Sequence, residues 1–138
     1  MSLVYLLDTN TIYEPSRECP NQQVVEKIQR YDSQIALASI VIYELARGIH
    51  LLPESKKRLK FFEYFESVLV KFPVLNYTEK AAIWHGKEAA RLQNIGKSPP
   101  FIDAQIAAVA VTNNLILVTR NTADFKHFAD LQLENWFE

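Results

Sequence analysis

The chain has 138 residues, 49% of them hydrophobic and only 3 of them glycine, which excludes a disordered or fibrous protein and suits one domain over residues 1–138 with a real core. Its 15 basic and 16 acidic residues leave a net charge of −1, which excludes a strong overall field for nucleic acid, so any such binding has to be local. A lone Cys19 excludes an intrachain disulfide, no apolar run approaches membrane length, and no basic-then-apolar leader opens the chain, so a reducing, cytoplasmic setting without a membrane partner is expected.

Leu3 to Leu7 is an apolar run that ends on Asp8, Thr9 and Asn10, and it reads as a buried parallel strand. Asp8 then sits at the strand's carboxyl end, the edge where open α/β sheets bind ligands. Opening a turn accounts for Asp8 equally well on this stretch alone. A loop with Pro15, Cys19 and Pro20 follows, and Asn21 caps a short helix that turns Val24, Val25 and Ile28 inward. Gln34 to Ala38 is a second strand. Ser39 is the expected N-cap of a helix over Ile40 to Ile49 that ends near Gly48. Glu44 is the only charge between Ile35 and Ala46; a surface pairing with Arg47 is the plain alternative to a role in a site.

Pro53 is the expected start of the next helix, which is rich in Lys and Arg and carries Phe61, Phe62, Tyr64, Phe65 and Val68. Its charges read as a solvated face, and its aromatics either pack the core or form a partner surface. Val70 to Leu75 holds a third strand broken by Pro73. Thr78 caps a long helix to Asn94, with Ala81, Ala82, Trp84, Ala89 and Leu92 turned partly inward. The segment from Gly96 to Pro100 breaks the chain, with the proline pair at the N1 entrance of a helix from Phe101 to Thr112 that is apolar almost all round. Asp103 lies in that helix's first turn, where the helix dipole alone favours an acid. Asn113 and Asn114 turn into a fourth strand, Leu115 to Thr119, and Asp124 follows its carboxyl end. Leu131 and Leu133 alternate as an edge strand before Trp136 and Phe137.

Strands alternating with helices predict a largely parallel sheet of four to five strands with helices on both faces, an α/β class fold. Every crossover helix in such a fold starts at the carboxyl edge of the sheet. Asp8, Glu44, Asp103 and Asp124 therefore meet at one edge from topology alone. Clustered carboxylates repel unless something neutralises them, and an all-oxygen set suits Mg²⁺ or Mn²⁺ rather than zinc. Such an ion lowers the pKa of a bound water and stabilises charge on phosphorus, which points to phosphodiester or phosphoryl chemistry.

Other chemistries fit less well. His50, His85 and His127 have no HExxH or paired-ligand spacing and read as surface or packing residues. There is no GxxxxGK[ST], GxGxxG or GxSxG motif, and Cys19 has no activating neighbour.

The motifs together resemble the PIN-domain ribonucleases, and among them the VapC-type toxins of prokaryotic toxin–antitoxin pairs, including the FitB-like subgroup. The resemblance runs nearly end to end. It rests on Leu7, Asp8, Thr9 and Asn10; on Ser39 with Tyr43, Glu44, Leu45 and Gly48; on Asp103 with Ile106, Ala107 and Ala108; and on the run from Thr119 to Phe125. It implies a PIN-like three-layer α/β/α sandwich and a metal-dependent endoribonuclease acting on tRNA, rRNA or mRNA, held inactive by a small cognate antitoxin. Asp8, Glu44, Asp103 and Asp124 match the acidic quartet that would be catalytic and bind Mg²⁺ or Mn²⁺. Asn10 matches a residue that orients the first acid, and Thr119 and Asn121 match supports for the last. Some PIN domains carry an acid where this chain has Asn121, so the fourth carboxylate falls to Asp124, directly or through water.

The resemblance also implies a homodimer, and the aromatics Phe61, Phe62 and Phe65 are the candidate antitoxin groove. RNA is expected to reach the acids past Arg47, Arg91, Lys97 and Arg120. Two other readings are a non-catalytic RNA- or partner-binding module, against which the intact acid set argues, and a metal phosphatase or 5′-nuclease relative, for which the chain lacks DxDx[TV] and an inserted helical arch.

Overall fold

The computed structural model describes residues 2–138. Its sheet contains β1 (Tyr5–Leu7), β2 (Ile35–Ala38), β3 (Val74–Leu75), β4 (Ile116–Val118) and β5 (Leu133–Glu134), in the order β3-β2-β1-β4-β5. Every pairing is parallel, with Tyr5 opposite both Ile35 and Ile116. Helices cover both faces, giving a three-layer α/β/α sandwich. Strands buried on both faces need unbroken apolar runs, and all four residues of β2 are buried.

The chain steps from β1 through β2 to β3 on one side, then crosses back to place β4 on the other side of β1. The strand order reverses between β1 and β4. A crevice opens beyond the carboxyl ends of such a pair. Asp8 follows β1 directly and its N–H donates to Val118 O of β4 at 3.0 Å.

The helices are α1 (Thr9–Tyr13), α2 (Gln22–Arg30), α3 (Ser39–Leu51), α4 (Lys56–Lys71), α5 (Glu79–Asn94), α6 (Phe101–Thr112) and α7 (Thr122–Phe125). The caps expected at Asn21 and Thr78 are made: Asn21 Oδ1 accepts from Gln23 and Val24, and Thr78 Oγ1 accepts from Ala81 N. α5 ends in a Schellman turn. Gly96 takes φ +73°, Lys97 N donates to Leu92 O and Gly96 N to Gln93 O. α6 buries Ala104 and every residue from Ile106 to Ala110, so it is the central helix. Trp136, fully buried, packs edge-on against Tyr5 and beside Tyr31, closing the sheet where the sequence showed only a chain end.

Several local expectations are corrected. The segment after Asp8 is not a loop but α1 with a 3₁₀ turn at Glu14–Ser16, because the Asp8 carboxylate caps it. Ser39 is the first residue of α3 and Ala38 stands at its cap; Gly48 lies inside the helix rather than ending it. Ser55, not Pro53, starts the next helix by accepting from Arg58 N. Val70 and Lys71 complete α4, so the third strand is only Val74–Leu75. Pro100 occupies the cap of α6 rather than N1. In α5, Ala82 faces solvent, while His85 and Glu88 are buried.

Candidate active site

β1 delivers Asp8 to the reversal point with 7% of its surface exposed. Both of its oxygens are engaged. Oδ1 accepts from Thr11 N at 3.1 Å as the cap of α1, and Oδ2 accepts from the Thr119 hydroxyl at 2.5 Å. Thr119 leaves β4 fully buried and accepts in turn from Asn121 N at 3.1 Å. Burial pushes the Asp8 carboxyl above its ordinary range; its hydrogen bonds to Thr119 and Thr11 oppose that rise, and Glu44 adds to it.

α3 brings Glu44 beside α1, where the Thr9 hydroxyl donates to Oε1 at 2.5 Å. α6 brings Asp103 from its first turn, and α7 brings Asp124. Asp8, Glu44, Asp103 and Asp124 line one cleft of about 150 Å³, with Asn10 and Asn121 in its wall. The Asp103 carboxyl is raised to about 6, first by burial and then by the neighbouring charges of Asp124, Glu44 and Asp8. Four carboxylates share one field.

The donors are all oxygens, which fits a hard divalent cation. Among the described residues, no three His, Cys, Asp or Glu side chains close on one point as a finished metal cage. Glu44 leans on Thr9, and Asp8 is held by Thr11 and Thr119. A carboxylate oxygen accepts more than one bond, so neither contact consumes the site's capacity for a cation.

The supports differ from the expected ones. Thr119 holds the first acid, not the last, because β4 lies directly beside β1. The bonds on Asp8 come from Thr11 and Thr119, while Asn10 lines the cleft and faces solvent. Thr9 and Thr11 carried no assignment from the sequence. An Asp at a strand end can cap a following helix, and the backbone N–H three residues on, here that of Thr11, is then its donor; nothing local reveals the Thr9 bond.

Of the four expected basic groups, Arg47 stands beside the cleft in a recess with Thr9, Tyr43, Glu44 and Ile102. Arg91 is instead committed to structure: its Nε and Nη2 donate to buried Glu88 at 2.7 and 2.9 Å, and Nη2 also donates to His127 O. Arg120 lies over the Phe137 ring, 4.6 Å from its centre. Lys97 is exposed at the Schellman turn.

The model of the PIN domain matches residues 5–131. Toxin FitB of Neisseria gonorrhoeae is 34% identical over 87% of this chain and 89% of its own length. The tRNA(fMet)-specific endonuclease VapC of Salmonella typhimurium is 29% identical over 97% of this chain and 98% of its own. The crystal structure of FitAcB from Neisseria gonorrhoeae contains a chain that superposes with a TM-score of 0.89 at 32% identity, covering 98% of this chain and 99% of that one.

Proposed function

This chain belongs to the PIN-domain family, and from that premise we propose that it is a metal-dependent endoribonuclease serving as the toxin of a toxin–antitoxin pair. The observation that carries the reading is the convergence of four carboxylates from four separate elements on one cleft at the β1/β4 reversal. The names of the relatives support the rest: one is an endonuclease for tRNA(fMet) and another is a toxin.

Mg²⁺ or Mn²⁺ held by Asp8, Glu44, Asp103 and Asp124 would polarise the phosphodiester and lower the pKa of the attacking water. Asp8, fixed at both oxygens and almost fully buried, is the rigid point of the site. Thr119 and Thr11 orient it and hold its charged form. Among the described residues no side-chain hydrogen bond occupies the Asp103 or Asp124 carboxylates, which leaves their oxygens free to face a cation in the cleft. The amides of Asn10 and Asn121 stand at the wall of the cleft as hydrogen-bond donors for phosphate oxygens.

The cognate antitoxin belongs to the same reading. Tyr13, Leu45, Gly48, Leu52 and Phe61 line an apolar groove of about 240 Å³ that shares Thr9 and Glu44 with the acid cleft. At Tyr13 the groove meets a hollow bearing Arg17, Lys56, Lys57 and Lys60. A segment with apolar side chains followed by acids fits both. Phe61 lines this groove, stacked on Tyr13 at 4.5 Å; of the other expected aromatics, Phe62 lines a different hollow with His50 and Arg58, and Phe65 packs against the core. We include a homodimer and a cytoplasmic setting in this proposal; among the described residues no helix is long and apolar enough to cross a membrane.

The test is RNA cleavage by the purified chain in Mg²⁺ or Mn²⁺, with EDTA, Asp8→Asn and a small phosphate ester as controls. The reading expects cleavage of RNA alone, lost in EDTA and reduced by orders of magnitude in Asp8→Asn. Undiminished cleavage in excess EDTA would sink it.

A further inference from the structure

Thr9 and Glu44 also line a second hollow. Tyr43, Arg47 and Ile102 complete its lining, and its volume is about 330 Å³, within the range of small-ligand pockets. It adjoins the acid cleft, since Thr9 and Glu44 line both.

Tyr43 is half exposed although it is a large aromatic residue on a helix that buries Val41, Leu45 and Ile49. Arg47 lies one helical turn further along the same face. The intrahelical pairing of Glu44 with Arg47 is not made: Glu44 turns to Thr9, and among the described residues no carboxylate lies within ion-pair distance of Arg47. An exposed ring and an uncommitted guanidinium thus flank the acids. In a chain of net charge −1, that is where a polyanion is drawn to an otherwise repelling edge.

We propose that this recess is a nucleotide subsite of the ribonuclease: the ring of Tyr43 stacks on a base next to the scissile phosphate, and Arg47 holds the adjoining backbone phosphate. The proposal rests on the ribonuclease reading. Stacking serves any unpaired base, so the subsite selects single-stranded or loop RNA over duplex, where the bases are already stacked. Ile102 adds apolar surface to the recess, and Arg47 is exposed.

The experiment measures binding of a short fluorescent single-stranded RNA to the cleavage-impaired Asp8→Asn chain in Mg²⁺, alone and combined with Tyr43→Ala, Tyr43→Phe or Arg47→Gln. Steady-state cleavage is measured with the same substitutions in the otherwise native chain. Tyr43→Ala is expected to raise Kd and KM roughly tenfold with little change in kcat, and Tyr43→Phe to keep native values. Arg47→Gln should flatten the dependence of log K on log salt by about 0.7, one single-strand phosphate contact. Unchanged Kd, KM and salt slope in both variants overturn the subsite while native cleavage continues. Light scattering on the same samples reads the competing occupant: a Tyr43→Ala chain that loses its oligomeric state but keeps its RNA affinity assigns the recess to a second copy and also overturns the proposal. A native chain that neither binds nor cleaves RNA removes the ribonuclease reading itself, and the subsite with it.

Discussion

The Thr9 hydroxyl donates to Glu44 Oε1 at 2.5 Å, joining residues 35 positions apart. This bond is the common wall of three hollows: the acid cleft, the recess at Tyr43 and the apolar groove at Phe61.

Thr9 is therefore a positioning residue for Glu44. Thr9→Val removes the donor and keeps the shape, freeing one carboxylate to swing. A hydrogen bond to a charged group contributes about 1.5–3 kcal/mol, so Mn²⁺ affinity, measured by calorimetry, should fall at least about tenfold. Thr9→Ser should restore it. Equal Mn²⁺ affinity in the Val variant and the native chain would refute the role.

Thr119 makes the matching bond to Asp8 Oδ2. Burial raises the Asp8 carboxyl and this bond opposes the rise. Thr119→Val should therefore push the Asp8 carboxyl still higher. Asp8 would ionise later as pH rises, so the acid limb of the pH–activity profile should shift to higher pH. Stability should also fall by about 1–3 kcal/mol, because a buried acceptor loses its donor. A profile superimposable on that of the native chain would count against it.

Gly48 sits in mid-helix, where glycine costs about 0.5–1 kcal/mol relative to alanine. A Cβ at this position would meet nothing within 4 Å, so the chain's own packing does not require glycine. Gly48 helps to line the apolar groove proposed for the antitoxin. Gly48→Ala should raise the melting temperature by a few degrees, and Gly48→Leu should fill the groove and abolish antitoxin binding while leaving RNA cleavage intact. Native antitoxin affinity in Gly48→Leu would show that the partner docks elsewhere.

The layers of the fold and the placing of the four acids were legible because they depend on period and topology. Apolar runs such as Ile35–Ala38 and the all-round apolar α6 have few other solutions. Two kinds of feature were not legible. Bonds across the sheet, such as Thr119 to Asp8, require knowing that β4 lies beside β1, and strand order is not a local property. Side-chain commitments were also hidden: nothing in the spacing of Arg91 separates an RNA contact from its actual clamp on Glu88. Trp136 read as a chain end because its partners Tyr5 and Tyr31 are distant in sequence.

That clamp has its own signature. Glu88, buried on α5, accepts from Arg91 and from Ala129 N at 2.7 Å, and these bonds hold its carboxyl below the ordinary range, Arg91 foremost. A lowered folded pKa contributes stability that is present above the unfolded value of 4.5 and is lost as pH falls through the folded one. Glu88→Gln should cost roughly 2 kcal/mol at pH 7 and should narrow its gap from the native chain as melts are taken below pH 4.5. A gap that stays constant down to pH 3 would assign Glu88 a packing role only.

Asp103 has the opposite sign. Its folded carboxyl sits at about 6 against an ordinary 3.8, raised by burial and by Asp124, Glu44 and Asp8. The folded chain thus holds this proton more tightly than the unfolded chain does. Without metal, the stability that this carboxyl contributes is fully present below about pH 4 and is lost as pH rises through about 6. Asp103→Asn keeps the shape, cannot ionise and removes one of the four repelling charges. In EDTA it should flatten that decline and raise stability at pH 7 by on the order of 1 kcal/mol, after allowing for solvent screening at a partly exposed site. Mg²⁺ binds the folded form, so it stabilises the native chain by mass action, and it should stabilise the variant less. The alternative is that Asp103 only complements the dipole of α6. Asparagine would then cost up to about 1 kcal/mol, and Mg²⁺ would shift both proteins equally. Thermal melts of the two proteins from pH 4 to 8, in EDTA and in Mg²⁺, separate the cases: a variant less stable than the native chain in EDTA, with an unchanged Mg²⁺ shift, would take Asp103 out of the site.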